Sequence, residues 1–171
     1  MELAAKMVEA EDAANKVVEA LEALGIAYEL LDCDPDFADT AAFCQRYGYP
    51  PENSGNTIIV GSRREPKQYS ACVVQASRRL DVNKTVRRLM GVRRLSFATA
   101  EETQALTGMA IGGVTAFNLP EGLPLYVDGE LMAAEYVILG SGSRSSKVKV
   151  SPGVLCGLPG ATVVPDLSMP G

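Results

Sequence analysis

The sequence predicts an α/β protein of the α+β type, with a mixed, mostly antiparallel curved sheet and peripheral helices. Three observations carry this expectation. Helical and strand patterns alternate without a regular βαβ repeat, so an all-parallel sheet is disfavoured. Several neighbouring strand patterns are joined by turns too short for a parallel crossover. The chain has 171 residues, 47% of them hydrophobic, which is enough for one core and one domain spanning 1–171.

The elements follow in order. From Glu11 to Leu24 the apolar positions Ala14, Val17, Val18, Leu21 and Leu24 keep helical spacing and Gly25 supplies a stop, giving an N-terminal helix within 1–25. Ile26–Asp32 reads as a strand. A second helix runs from Thr40 through Tyr47, with Asp39 or Thr40 as its cap and Gly48 and Pro50-Pro51 as its end. Asn56–Val60 and Tyr69–Ala76 are β-branched apolar runs joined by the polar GSRREPKQ, and they predict an antiparallel pair.

Asp81 can cap a helix that ends at Gly91, with Lys84, Arg87 and Arg88 outward. A short strand lies around Leu95–Ala98. Thr99 to Glu102 form a capping box for a helix ending near Leu106. LPLYVD, AEYVILG, KVKV and ATVVPDL read as strands, SPGVL as a brief helix, GSGS as a turn, and 166–171 as a flexible tail.

Composition narrows the chemistry. There is no histidine, so Ser-His-Asp and Cys-His catalysis are excluded, and the four cysteines contain no C-x-x-C pair. Buried free thiols in a reducing compartment are expected, with neither metal nor cofactor. A thiol enzyme is a weak alternative, because no positive charge or base adjoins a cysteine in sequence. No run reaches the roughly 18 apolar residues that span a bilayer, and the N-terminus is unlike a signal sequence, so a cytoplasmic protein without membrane contact is expected.

The net charge of −5 is unevenly spread. Residues 1–55 carry three basic and twelve acidic residues, 56–95 ten basic and two acidic, and the remainder three and seven. The central segment can therefore present a local polyanion-binding face on an acidic protein.

The stretch TGMAIGGVTAFNLPEGLPLYVD, Thr107 to Asp128, matches neither the dinucleotide G-x-G-x-x-G spacing nor a P-loop. Other features place it. A leucine-aspartate helix start at Leu80-Asp81 is followed by Gly91-Val92 with a basic pair, and Ala98 precedes an acidic helix. Thr107-Gly108, the Gly112-Gly113-Val114 loop, a Leu-Pro strand and Asp128 then follow, with TAAFCQRYG upstream and GSGS before KVKVSP downstream. In this order of parts, roughly Ile26 to Leu155 resembles the YbaK and prolyl-tRNA synthetase-associated editing-domain family.

The resemblance implies hydrolysis, in trans, of the ester joining a wrongly attached small amino acid to the 3′ end of a tRNA, usually one for proline. Its implied partners are the tRNA acceptor end and an aminoacyl-tRNA synthetase. The family's Lys-Thr-Leu-Val motif falls on Asn56-Thr57-Ile58-Ile59, and its Gly-x-x-x-Pro loop falls on Gly112-Gly113-Val114-Thr115-Ala116. The key lysine is thus Asn56 and the loop proline is Ala116.

The resemblance assigns Asn56, Gly112 and Gly113 to catalysis, and Thr40, Thr57, Val114, Thr115, Ala116, Asp128 and Ser141 to substrate binding. Arg63, Arg64, Lys84, Arg87 and Arg88 suit tRNA phosphates. Lys67 or Lys84 is a further source of the missing charge. Because the lysine and proline are replaced, the alternative is a non-catalytic relative that binds a tRNA end or an amino-acid-like molecule.

Overall fold

The computed structural model describes residues 2–171. The N-terminal helix α1, Glu2–Ala23, begins nine residues before the predicted start, and its C-terminal half buries the apolar side chains of Val17 and Leu21. β1 is Glu29–Asp32 and α2 is Thr40–Tyr47, the latter ended by Gly48 in the left-handed region at φ 76°. β2, Gly55–Ser62, and β3, Tyr69–Gln75, pair antiparallel as their composition predicts.

β4, Arg78–Leu80, was not legible in the sequence. The Asp81-capped segment is a π-helical turn over Val82–Val86, which runs into a short α3, Arg87–Met90. β5 is Leu95–Phe97. α4, Ala100–Thr107, has the complete capping box between Thr99 and Glu102. Then come β6, Leu125–Asp128, β7, Val137–Gly140, β8, Ser146–Val150, β9, Ala161–Val164, and β10, Ser168–Pro170. β10 pairs with β4, so the last residues, expected as a tail, carry a strand.

The larger sheet has the order β5-β2-β3-β6-β9 and the smaller one β1-β8-β7. The larger is mixed. β2 is antiparallel to β3 and β5, whereas β6 is parallel to β3, through the long connection that carries α3, α4 and the glycine loop, and to the later strand β9. An isolated bridge between Ser54 and Ile138 joins the two sheets at the start of β2.

One apolar cluster, including Val17, Ile59, Phe117, Leu131, Leu139 and Val148, packs between the sheets under α1. A second, with Val60, Cys72, Val86 and Leu167, lies on the other face of β2 and β3. β5 pairs only with Val60–Ser62, so the β2 edge from Gly55 to Ile58 has no ladder on that side. That open edge is where the site forms.

Candidate functional site

A cavity of about 390 Å³ opens along the unpaired edge of β2. Its walls are residues 54–59, the start of α2 at Asp39 to Ala41, the loop residues Ile111, Gly112 and Val114, Ile138 to Gly140 of β7, Lys147 of β8, and Phe97 with Ala98. The volume suits a small ligand.

Of the residues the sequence singled out, Thr40, Asn56, Thr57, Gly112 and Val114 meet in this cavity. The Thr40 hydroxyl donates to Asn56 Oδ1. The Asn56 amide NH₂ is thereby left with no partner among the described residues and is available to a ligand. Asp39 and Thr40, the two expected caps of α2, do not cap it with their side chains. Thr40 goes to Asn56, and the Asp39 carboxylate accepts from Arg144 Nη1 at 3.1 Å. Both leave a helix terminus to serve the cavity wall, a departure from local rules of the sort that marks functional sites.

The glycine loop is held by backbone contacts. Gly112 has φ 91°, and a Cβ there would meet Arg144 Nη1 at 2.1 Å. Gly113 lies against the backbone of Gly142 and Ser143, and its carbonyl accepts from Gly142 N at 2.7 Å. Gly112 therefore lines the cavity while Gly113 seals the loop to the turn before β8. Arg144 ties the same loop to the α2 entry, donating to Ile111 O at 2.9 Å and to Pro35 O at 2.8 Å.

Five predicted site residues lie outside the cavity lining: Gly113, which packs on Gly142 and Ser143 instead, and Asp128, Ser141, Thr115 and Ala116. Asp128 is fully buried, and its carboxylate accepts from the amides of Gln75 at 3.0 Å and Glu130 at 3.1 Å, fixing the end of β6. Ser141 is buried and donates to Ser146 O at 2.9 Å. Thr115 and Ala116 are buried behind the loop.

Neither Lys67 nor Lys84 reaches the cavity. Lys67 pairs with Glu102 at 3.1 Å, and Lys84 lies beside Arg87, Arg88 and Arg93 on the outer surface. The cation that does reach it is Lys147, which sequence reasoning missed. Its ammonium donates to Ala38 O and, at 3.1 Å, to Gly112 O, and it lies 5.6 Å from the Phe43 ring centre. The side chain is only 5% exposed, and burial pushes its pKa below the ordinary lysine value. In the KVKV alternation the valines were the natural inward positions. The alternation is real, but both faces of this part of β8 are covered.

A second cleft, of about 530 Å³, shares Asn56, Ile58 and Phe97 with the first and is flanked by Arg78 and Arg79. Phe97 lines both and is 59% exposed. Arg63, Arg64, Arg93 and Arg94 line a shallow surface groove, and Arg93 also borders the Lys84, Arg87 and Arg88 patch. These arginines form a continuous basic surface at one end of the larger sheet. Among the described residues no cluster of three His, Cys, Asp or Glu could hold a metal.

Residues 34–156 match the aminoacyl-tRNA editing domain. The chain belongs to this family, the YbaK family. A candidate trans-editing enzyme for prolyl tRNA synthetase is 27% identical, with 93% of this chain and 98% of that one covered and a TM-score of 0.79. The hypothetical protein APE2540 is 29% identical, with 90% and 99% covered and a TM-score of 0.80. A scaffold protein bearing a grafted linear epitope, 24% identical with 93% and 98% covered, shares the fold at a TM-score of 0.78. Editing-domain membership supports, at family level, deacylation of aminoacyl-tRNA.

Proposed function

We propose that this chain hydrolyses, in trans, the ester of a mischarged tRNA carrying a small amino acid, a tRNA for proline being the first candidate. The observation that carries the reading is the cavity on the open β2 edge. It has apolar walls for a small side chain, and its polar end brings together Asn56, Thr40 and Gly112.

An aminoacyl ester is already activated, so the protein has to place it and a nucleophile and stabilise the developing oxyanion. Water adds to the ester carbonyl carbon, and the bond from that carbon to the ribose oxygen breaks. The ribose oxygen takes a proton, giving a free amino acid and a tRNA hydroxyl. Asn56 offers its amide N–H groups at the reacting end, oriented by Thr40. Gly112 offers its backbone to the ribose or the carbonyl, and its missing Cβ leaves room for the Arg144 guanidinium that fixes the loop. The side chain lies against Ile58, Ile111, Val114 and Leu139.

The second cleft, with exposed Phe97 and the Arg78 and Arg79 side chains, receives the terminal nucleotides. Phe97 offers a stacking face and the arginines offer phosphate contacts. The basic surface of Arg63, Arg64, Lys84, Arg87 and Arg88 holds the acceptor stem, and the reaction takes place in the cytoplasm.

The replacement of the family lysine by Asn56 gives the non-catalytic reading its footing. Single-turnover deacylation of a panel of mischarged tRNAs, run on the parent, Asn56→Ala and Asn56→Lys, separates the two. The expected result is hydrolysis by the parent that Asn56→Ala slows about 100-fold, the lower end of the loss for one oxyanion donor. Hydrolysis by Asn56→Lys alone identifies a scaffold that binds without cutting.

A further inference from the structure

Lys147 is the least expected charge in the molecule. An ammonium has three N–H donors and no acceptor. Here two are used by the carbonyls of Ala38 and Gly112, and the third has no partner among the described residues. Among the described residues Lys147 also forms no ion pair within 4.0 Å, and the nearby Asp39 carboxylate is bound to Arg144. Buried charges are costly unless paired and hydrogen-bonded. An unpaired ammonium, almost wholly shielded from bulk water yet lining a cavity, is a preorganised site for negative charge arriving with a ligand.

We infer that Lys147 is the cavity's anion-binding group, donating its third N–H to the ester carbonyl oxygen as that oxygen becomes negative. The inference rests on the deacylase reading for its substrate. The charge also sets the orientation of the bound aminoacyl group: the carbonyl oxygen turns toward Lys147 and the cationic α-amino group turns away from it. In hydrolysis the electron pair of the C=O bond moves onto this oxygen as water adds. It returns as the ribose oxygen leaves, so Lys147 holds charge and transfers no proton. Its other two bonds join the α2 entry to the glycine loop, placing the donor relative to Gly112.

A purely structural strap would use the same two carbonyl bonds without needing the charge, and two substitutions tell these roles apart. Lys147→Gln keeps N–H donors for the carbonyls but loses the charge, and Lys147→Met loses both. Lys149→Gln, two positions along β8 and paired with Glu29 at 3.8 Å, is the control. The readouts are single-turnover deacylation of alanyl-tRNA for proline and calorimetric binding of an adenosine 3′-(1-aminoethyl)phosphonate. The anionic phosphoryl oxygens of this probe stand for the tetrahedral oxyanion.

The expected result is a loss of about 100- to 1000-fold in the rate constant and in phosphonate affinity for both Lys147 variants. Lys149→Gln is expected to behave as the parent. Parent-like rates and affinity in Lys147→Gln, with defects only in Lys147→Met, make Lys147 a strap and overturn the inference. If the parent hydrolyses nothing yet binds the phosphonate in a Lys147-dependent way, the deacylase reading fails and the anion site stands. If the folded parent, verified by its cooperative thermal transition, binds no phosphonate, the anion site is overturned too.

Discussion

Single residues decide whether this cavity is chemical or merely hollow. Asn56 is oriented by Thr40, and Lys147 brings the charge that position 56 lacks, from a different strand. The sequence made Asn56 and Gly112 visible through the family motifs. It could not show Lys147, because a lysine in an alternating strand is ordinarily solvated, and only the packing of α2 and the glycine loop over β8 buries it. Of the four free thiols expected to be buried, Cys33, Cys44 and Cys72 are and Cys156 is exposed; Cys72, pushed up to about 12 mainly by burial, is inert as a nucleophile at neutral pH.

Glu102 gives a residue-scale prediction outside the site. Its carboxylate accepts from Tyr69 at 2.7 Å, from the Thr99 amide at 3.2 Å and from Lys67 at 3.1 Å, and these bonds hold its pKa down at about 2. A depressed carboxylate stabilises the fold above its unfolded pKa, and that contribution is lost as pH falls through the folded value. Glu102→Gln should therefore lower urea stability at pH 7. The gap between variant and parent should narrow from about pH 4 down to pH 2. A gap independent of pH would show that the carboxylate charge plays no part.

At the scale of elements, the site depends on close backbone approach between the glycine loop and β7. Gly140 is the tightest point, because a Cβ there would lie 2.4 Å from Val114 O and 2.8 Å from Gly113 O. Neither atom belongs to a flexible side chain, so the loop itself has to shift. Gly140→Ala should cost about 1–3 kcal/mol in chemical denaturation, as overpacking does, and slow deacylation by moving Gly112. Parent-like stability and rate would mean that the loop is free to move at no cost.

The secondary structure around this contact was largely legible. The Thr99–Glu102 capping box and the β2–β3 pair follow from local rules that tertiary packing did not override, and α2 keeps its predicted span although its caps turn to tertiary partners. β4 and β10 were not, because each is three residues long and gains its strand character only by pairing with the other across about half of the chain. The parallel pairing of β3 with β6 was likewise hidden, since nothing local specifies which strand a long connection returns to.

For the whole molecule, charge segregation links sequence to function. The basic 56–95 segment brings Arg63, Arg64, Lys84, Arg87, Arg88, Arg93 and Arg94 to two adjoining surface grooves that share Gly91, Val92 and Arg93. If this surface holds the acceptor stem, tRNA affinity should fall steeply with salt, and Arg87→Ala with Arg88→Ala should flatten that dependence by about one to two phosphate contacts. A salt slope unchanged in the double variant would remove this face from the tRNA path. The basic segment was visible in the sequence. That Asn56, Ile58 and Phe97 border both the cavity and the second cleft was not, because it depends on β5 stopping short along β2.

The central claim, that the cavity on the open β2 edge cleaves an aminoacyl ester, is tested most directly by single-turnover deacylation of a small-amino-acid mischarged tRNA by the parent protein, with Asn56→Ala alongside. The account predicts hydrolysis well above the spontaneous rate, slowed about 100-fold by the substitution. Spontaneous-rate decay across the whole panel, or hydrolysis indifferent to Asn56, would contradict it.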